Sequence, residues 1–288
     1  MILEEVRVMP LVEFSEFSFK YLGSESLALD KVSMKIERGE YIIITGPSGC
    51  GKTSLCRAMN GLVPHFHRGY IAGHVYVNGK DTRESKVSDL ATVAGLVFQN
   101  PANQLVTLNV EKEIAFGPEN LGIDPSIIRT RIEKLIHRLG LENLRDKHPH
   151  EMSGGEQQRV ALAATLALEP TILIADEPTS NLDPKNAELI LDILSDLNRQ
   201  GMTILLVEHR LDLVARDASR VIVMDEGRII ADGAPYAVLS SDLAAEIGIG
   251  IPKATQIYRR LKAGGIHLDE VPLTGDELAK LVQEAIRQ

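Results

Sequence analysis

Tyr41 to Thr45 (YIIIT) runs straight into Gly46 to Thr53 (GPSGCGKT), and then into helix-forming residues. This order of strand, glycine loop and helix restricts the possible folds more than any other feature of the chain. An unbroken apolar strand needs cover on both faces, as in the middle of a parallel sheet flanked by helices. The loop after it matches G-x-x-x-x-G-K-[ST]. Gly46, Gly49 and Gly51 let the backbone curl so that its N–H groups point inward, a concavity suited to phosphate oxygens at a helix N-terminus. In such a loop Lys52 reaches the β- and γ-phosphates, and the Thr53 hydroxyl ligates Mg²⁺.

Three more buried-strand runs follow: TILIA at 171–175, TILLV at 203–207 and VIVM at 221–224. A helical pattern over 186–198 separates the first two, which makes a parallel β-α-β unit. Residues 12–36 alternate in the strand manner, with Phe17, Phe19 and Tyr21 on one face and Val32, Met34 and Ile36 on another. HVYVNGKD carries an Asn78-Gly79 turn signal, and Asp225-Glu226-Gly227 reads as a hairpin turn. From about 101 to 168 the pattern is helical. Asp124-Pro125 opens a helix with Ile128, Ile132, Leu135 and Leu139 on one face and Gly140 as its stop. After Gly233 the sheet signals end. Residues 252–288 read as a small helical appendix, where Thr274 and Glu277 form a capping box ahead of Leu278, Leu281, Val282 and Ala285. That stripe packs either on this chain's body or on another subunit.

TILIADEP sets Asp176 and Glu177 at the C-terminal end of a buried strand, where ligand sites of open α/β sheets gather. Alone, two such acids would simply cap a strand. Beside a phosphate loop, Asp176 is expected to hold Mg²⁺ through water and Glu177 to polarise an attacking water. His209, in LLVEHR, follows the next strand and is expected at the same sheet edge. Gln99, in LVFQNP, also ends a short apolar strand, though a plain loop glutamine would look the same. A second anion-binding stretch, EMSGGEQQRV, places Ser153, Gly154 and Gly155 ahead of a helical run. The two cysteines, Cys50 and Cys56, are expected to be reduced. Cys50, beside Lys52 and a helix N-terminus, is expected to have a lowered pKa and to react if accessible; Cys56 is expected to be inert.

Together these stretches resemble the ATP-binding-cassette (ABC) ATPases over about residues 12–240. By that resemblance GPSGCGKT is Walker A, TILIADEP is Walker B and Gln99 is the Q-loop glutamine. SNLD is the D-loop, ending in Asp183, and His209 is the switch histidine. Tyr21, otherwise simply a strand tyrosine, takes the place of the aromatic that stacks on adenine. MSGGEQQRV resembles the signature motif, with Met152 and Glu156 where the commonest form has Leu and Gln. The implied fold is an α/β P-loop NTPase with a parallel-sheet core, an antiparallel β subdomain and a helical subdomain at about 101–168. An ATP-binding domain would span 1–240 and a C-terminal helical region 241–288.

The resemblance implies ATP and Mg²⁺ as cofactors. ATP would be held by Tyr21 and by Gly46, Pro47, Ser48, Gly49, Cys50, Gly51, Lys52, Thr53 and Ser54. In a head-to-tail dimer, Ser153, Gly154, Gly155 and Asp183 would serve the partner's nucleotide, which gives one chain a reason to carry two anion sites. Thr53, Gln99 and Asp176 are the implied metal ligands, and Glu177, His209 and Gln99 the implied catalytic residues.

NGLVPHF, FQNPANQLV, EIAFGPENLGI and VEHRLDLVA narrow the resemblance to the energy-coupling-factor (ECF) ATPases. These drive uptake of vitamins and of cobalt or nickel with a transmembrane coupling subunit and a substrate-binding membrane subunit. The nearest alternative is an importer ATPase fed by a binding protein. A soluble cassette acting on DNA or ribosomes is disfavoured by the net charge of −9, which opposes a nucleic-acid surface. No apolar run reaches the roughly 18 residues of a membrane span. MILEEVRVMP has acids where a signal peptide would have bases. The expected location is therefore peripheral, on the cytoplasmic face of the cell membrane. Whether the second cassette is identical or a paralogue stays open.

Overall fold

The computed structural model describes residues 9–241, 247 and 249–287, so most of the N-terminal stretch read for a leader and part of the 241–288 region lie outside the described residues. The chain begins with β1 (Val12–Tyr21) and β2 (Leu29–Ile36), then enters β3 (Tyr41–Thr45) and helix α1 (Lys52–Met59). It continues through β4 (Gly69–Val77), β5 (Lys80–Asp81) and β6 (Ala94–Val97) into three helices, α2 (Val110–Asn120), α3 (Pro125–Leu139) and α4 (Gly154–Leu166). Then come β7 (Ile172–Asp176), α5 (Pro184–Arg199), β8 (Thr203–Val207), β9 (Arg220–Asp225) and β10 (Arg228–Gly233). Helices α6 (Lys253–Ala263) and α7 (Gly275–Arg287) follow, and shorter helical turns are left unnumbered.

The central sheet runs β10-β9-β3-β8-β7-β6, parallel except for the β9–β10 hairpin. A second, antiparallel sheet runs β2-β1-β4-β5. The apolar run 41–45 is explained by two cores, one on each face of β3. Tyr41 and Ile43 join the core built with α3, α4 and α5, whereas Ile42 and Ile44 join the one built with β1, β2 and α1. A strand with one wet face would alternate; this one has none.

Strand β1 shows how the chain brings two registers of apolar residues to one face. Val12 and Phe14 are buried, and so are Phe17 and Phe19, although the two pairs differ in parity. An irregularity between Phe14 and Phe17, with Glu16 at φ 46°, inserts the extra residue that resets the alternation. Phe17 then pairs with Val32 and Phe14 with Met34, so the two apolar stripes of the alternating region meet on one inward face.

Helix α3 starts and stops where its sequence signals lie. Asp124 accepts from the Ser126 N–H at 2.8 Å, Pro125 takes the first turn, and Gly140 ends the helix at φ 60°. Buried Glu113 of α2 accepts the N–H groups of Val106 and Thr107 at 3.0 and 2.7 Å, ordering the segment that leads from Gln99 into the helices. The C-terminal helices lie on this chain's own body. The Lys253 N–H donates to Asp212 at 2.5 Å, Arg259 donates to the carbonyls of Ser240 and Ser241, and Tyr236 donates to Glu277 at 2.9 Å. The expected capping box forms at Thr274–Glu277, yet Leu278, Leu281 and Val282 are only half-buried and Ala285 is exposed. No helix among the described residues is long and apolar enough to cross a membrane.

Candidate functional site

The loops after β3, β6, β7 and β8 all leave the same, C-terminal edge of the parallel sheet, which is where such folds gather ligands. There a cavity of about 430 Å³ is lined by Ser48, Gly49, Gly51, Lys52, Thr53 and Ser54 of the glycine loop, by Tyr21, and by Gln99, Glu177 and His209. Ser24, Ser26, Leu27 and Ala28 complete the wall. These last four were missed in the sequence; the only signal was the small-residue loop directly after Tyr21.

The glycine loop holds its curl through close packing. Gly46 has φ 148°, and a Cβ there would sit 2.0 Å from the Met224 carbonyl oxygen. Gly51, at φ 109°, has the Ala28 carbonyl oxygen 2.3 Å from the same position. Lys52 is 5% exposed, and its ammonium donates to the carbonyls of Gly46 and Pro47 at 2.9 and 2.8 Å. The cation is therefore tethered at the mouth of the loop, beside the first turn of α1, where N–H groups and helix dipole favour an anion.

Across the cavity, Glu177 is held by two neighbours. The Gln99 amide donates to one carboxylate oxygen at 2.7 Å, and His209 Nε2 lies 3.0 Å from the other. Glu177 adopts φ 48°, a left-handed conformation that is uncommon for a non-glycine residue and recurs at functional sites. Its N–H donates to Val207 O at 3.1 Å, fixing the turn after β7 against β8.

Asp176 sits one residue back, 6% exposed. Burial pushes its pKa up, against a hydrogen bond from Thr53 that lowers it. Its Oδ1 is buried without any hydrogen-bond partner. A buried orphan acceptor is costly, and beside the Thr53 hydroxyl it suits a divalent cation, which would supply the missing partner. Among the described residues no group of three or more His, Cys, Asp or Glu side chains could hold a metal unaided. An ion here would depend on Thr53, Asp176 and the phosphates of a ligand.

Tyr21 stands at the far wall. Its hydroxyl lies 2.9 Å from Ser54 Oγ and accepts from Arg57 at 3.4 Å, while its ring meets Phe19 and His67 edge-on. Arg57, also missed in the sequence, lies four residues after Thr53 on α1, one helical turn along.

The Cys50 expectation is overturned. The thiol is 5% exposed, and its pKa is raised: burial outweighs the nearby Lys52 ammonium. The side chain packs beneath the loop, where a Cβ built on Gly46 would lie 2.9 Å from Cys50 Sγ. A local dipole and one cation do not offset removal from water. Cys56 is wholly buried and its thiol is pushed well up, also by burial.

Ser153, Gly154, Gly155 and Asp183 do not line the cavity. Ser153 caps α4 in a capping box with Glu156, accepting at 3.4 Å and returning its N–H at 2.7 Å. Asp183 caps α5, accepting from the N–H and the amide of Asn186 at 3.0 and 2.6 Å, and those bonds lower its pKa. Gly155 lets the two helix starts meet, since a Cβ there would lie 2.6 Å from Asn186 Cγ. The residues read as a second anion site thus form one separate surface of paired helix N-termini.

Comparison with known proteins places this geometry. A family model described as ABC transporter matches residues 29–180. A Methanosarcina mazei protein described as a candidate ABC transporter ATP-binding protein is 45% identical over 254 residues, 87% of this chain; the chain spans only 43% of that relative's length. An energy-coupling factor transporter ATP-binding protein of Clostridium novyi is 38% identical over 274 residues, covering 93% of this chain and 96% of the relative. Among solved structures, cbiO1 of Clostridium perfringens, described as part of the ABC transporter complex cbiONQ, superposes with a TM-score of 0.72. It is 31% identical and covers 88% of this chain and 95% of its own.

Proposed function

The chain belongs to the ABC transporter family of ATPases, and from that premise we propose that it is the ATP-hydrolysing subunit of an ECF transporter. It would power uptake of a vitamin or of cobalt or nickel ions through ATP-driven closure of a cassette dimer. The observation that carries this reading is the convergence of Gln99, His209 and the strained Glu177 opposite Lys52 and Thr53 in one cavity. Similarity over nearly the whole chain to an ECF ATP-binding protein supports the transporter class.

In this mechanism the loop N–H groups and Lys52 bind the phosphates, with Lys52 trading its two carbonyl partners for phosphate oxygens. Thr53 and Asp176 would hold Mg²⁺, which would supply charge neutralisation on the phosphates. Gln99 gives its amide nitrogen to Glu177, and its carbonyl oxygen would be a further donor to the ion. Glu177 orients a water and takes its proton, and His209 holds the other carboxylate oxygen. Ser153, Gly154, Gly155 and Asp183, remote from this chain's own cavity, serve the nucleotide of a second cassette. A groove of about 550 Å³ between α2 and α3, lined by residues such as Lys112, Ala115 and Ile128, supports docking of a transmembrane coupling subunit, with a substrate-binding membrane subunit beyond it.

The test is purification from detergent-solubilised native membranes. Stoichiometric transmembrane partners and MgATP hydrolysis are expected; recovery with ribosomes or DNA would overturn the transporter assignment. Ser153→Arg should keep nucleotide binding and lose hydrolysis, and unchanged hydrolysis would remove the trans site.

A further inference from the structure

A second link joins the Glu177 and His209 loops below the carboxylate–imidazole contact. Glu208 is 3% exposed and Thr179 fully buried. The Glu208 carboxylate accepts the Thr179 hydroxyl proton on one oxygen; on the other it accepts the N–H groups of His209 and Arg210 at 2.9 and 3.1 Å. Arg210 reaches back over the same span and donates to the Thr179 carbonyl at 2.6 Å. A carboxylate is seldom buried this deeply unless its lone pairs are filled, and here three donors fill them. The residues it joins are not arbitrary. Thr179 lies two positions after Glu177 and directly before the SNLD stretch, and the Leu182 N–H of that stretch also bonds to Thr179 O at 3.1 Å. On the other side Glu208 holds the backbone of His209 itself.

We propose that Glu208 is a positioning residue for hydrolysis: clasping Thr179, it sets His209 against Glu177 and ties that pair to the D-loop. It does not line the cavity. The proposal rests on the assignment of Glu177 and His209 to ATP hydrolysis. The physical basis is that a catalytic pair on two separate loops keeps its spacing only if the loops are braced, and a misplacement of about 1 Å can cost roughly 100-fold in rate. The pair's own 3.0 Å contact is half exposed at the histidine and cannot brace itself.

The experiment measures MgATP hydrolysis and nucleotide affinity of Thr179→Val, Glu208→Ala, Glu208→Gln and the Thr179→Val/Glu208→Ala double variant in the assembled complex. Thr179→Val deletes the clasp hydroxyl while keeping the side chain's shape. It should lower kcat about 10- to 100-fold and leave KM for MgATP within about threefold. Glu208→Ala should do the same, and the double variant should fall little below it, because both changes remove one unit. Glu208→Gln, which can still accept both N–H groups, should recover most of the rate. If Glu208→Ala does not fold, Thr179→Val and Glu208→Gln decide alone. A Thr179→Val protein with kcat within about twofold of wild type, or with its loss confined to KM, overturns the clasp. A wild-type complex that hydrolyses no MgATP overturns the ATPase mechanism beneath it, a separable outcome.

Discussion

Replacing Glu177 with Gln changes one atom and leaves the cavity's shape intact. The carboxylate accepts from Gln99 at 2.7 Å and lies 3.0 Å from His209 Nε2. The amide keeps one acceptor oxygen for one of these neighbours, so the loop geometry has no reason to collapse. What disappears is the basic lone pair that, in the proposed mechanism, takes the proton of water. A positioned general base is worth about 10²–10⁴ in rate, which is about 2.7–5.4 kcal/mol of barrier at about 1.36 kcal/mol per tenfold. Binding should hold or tighten, because a negative charge facing the phosphate cradle is removed while Lys52 and the loop N–H groups remain. The assay pairs phosphate release under saturating MgATP with equilibrium binding of a fluorescent ATP analogue. Size exclusion with MgATP should show the variant trapped as a closed dimer. A rate above about half that of wild type would show that Glu177 is not the base; loss of binding in step with the rate would point to a structural role instead.

Gly46→Ala should abolish nucleotide binding and lower Tm sharply, since its Cβ would press to 2.0 Å from Met224 O at φ 148°; thermal melting and ATP titration check both. Asp176 has a folded-state pKa raised by burial, so the folded protein takes up its proton before the unfolded chain does. Stability therefore gains as pH falls through the folded value towards the unfolded one. The Tm of wild type relative to Asp176→Asn should rise as pH falls from neutrality towards the ordinary carboxylate range, and a flat difference would refute the raised pKa. Both thiols should resist maleimide in the native protein and label after denaturation, as mass spectrometry can count; rapid native labelling of Cys50 would contradict its 5% exposure.

The strand, loop and helix around Lys52 were legible in the sequence because their chemistry is local. Apolar continuity over 41–45, glycines at 46, 49 and 51, and the turn signals Asn78-Gly79 and Glu226-Gly227 each report the conformation of their own few residues, with positive φ at the turns. The acids at the end of β7 and the histidine after β8 could be assigned to one edge because parallel strands end together. Three things needed the tertiary structure. Cys50 looked activated from its neighbours, but only packing shows that it points away from water, and burial outweighs one adjacent cation. The clasp of Glu208 on Thr179 spans 29 positions between strand-end loops, a distance over which no periodicity speaks. The stripe on α7 was readable as amphipathic, yet only the structure shows it half-buried, on a helix tied to this chain through Tyr236, 41 positions before Glu277. Local backbone preferences are written residue by residue; solvent access and long-range contacts arise only when distant segments compete for the same space.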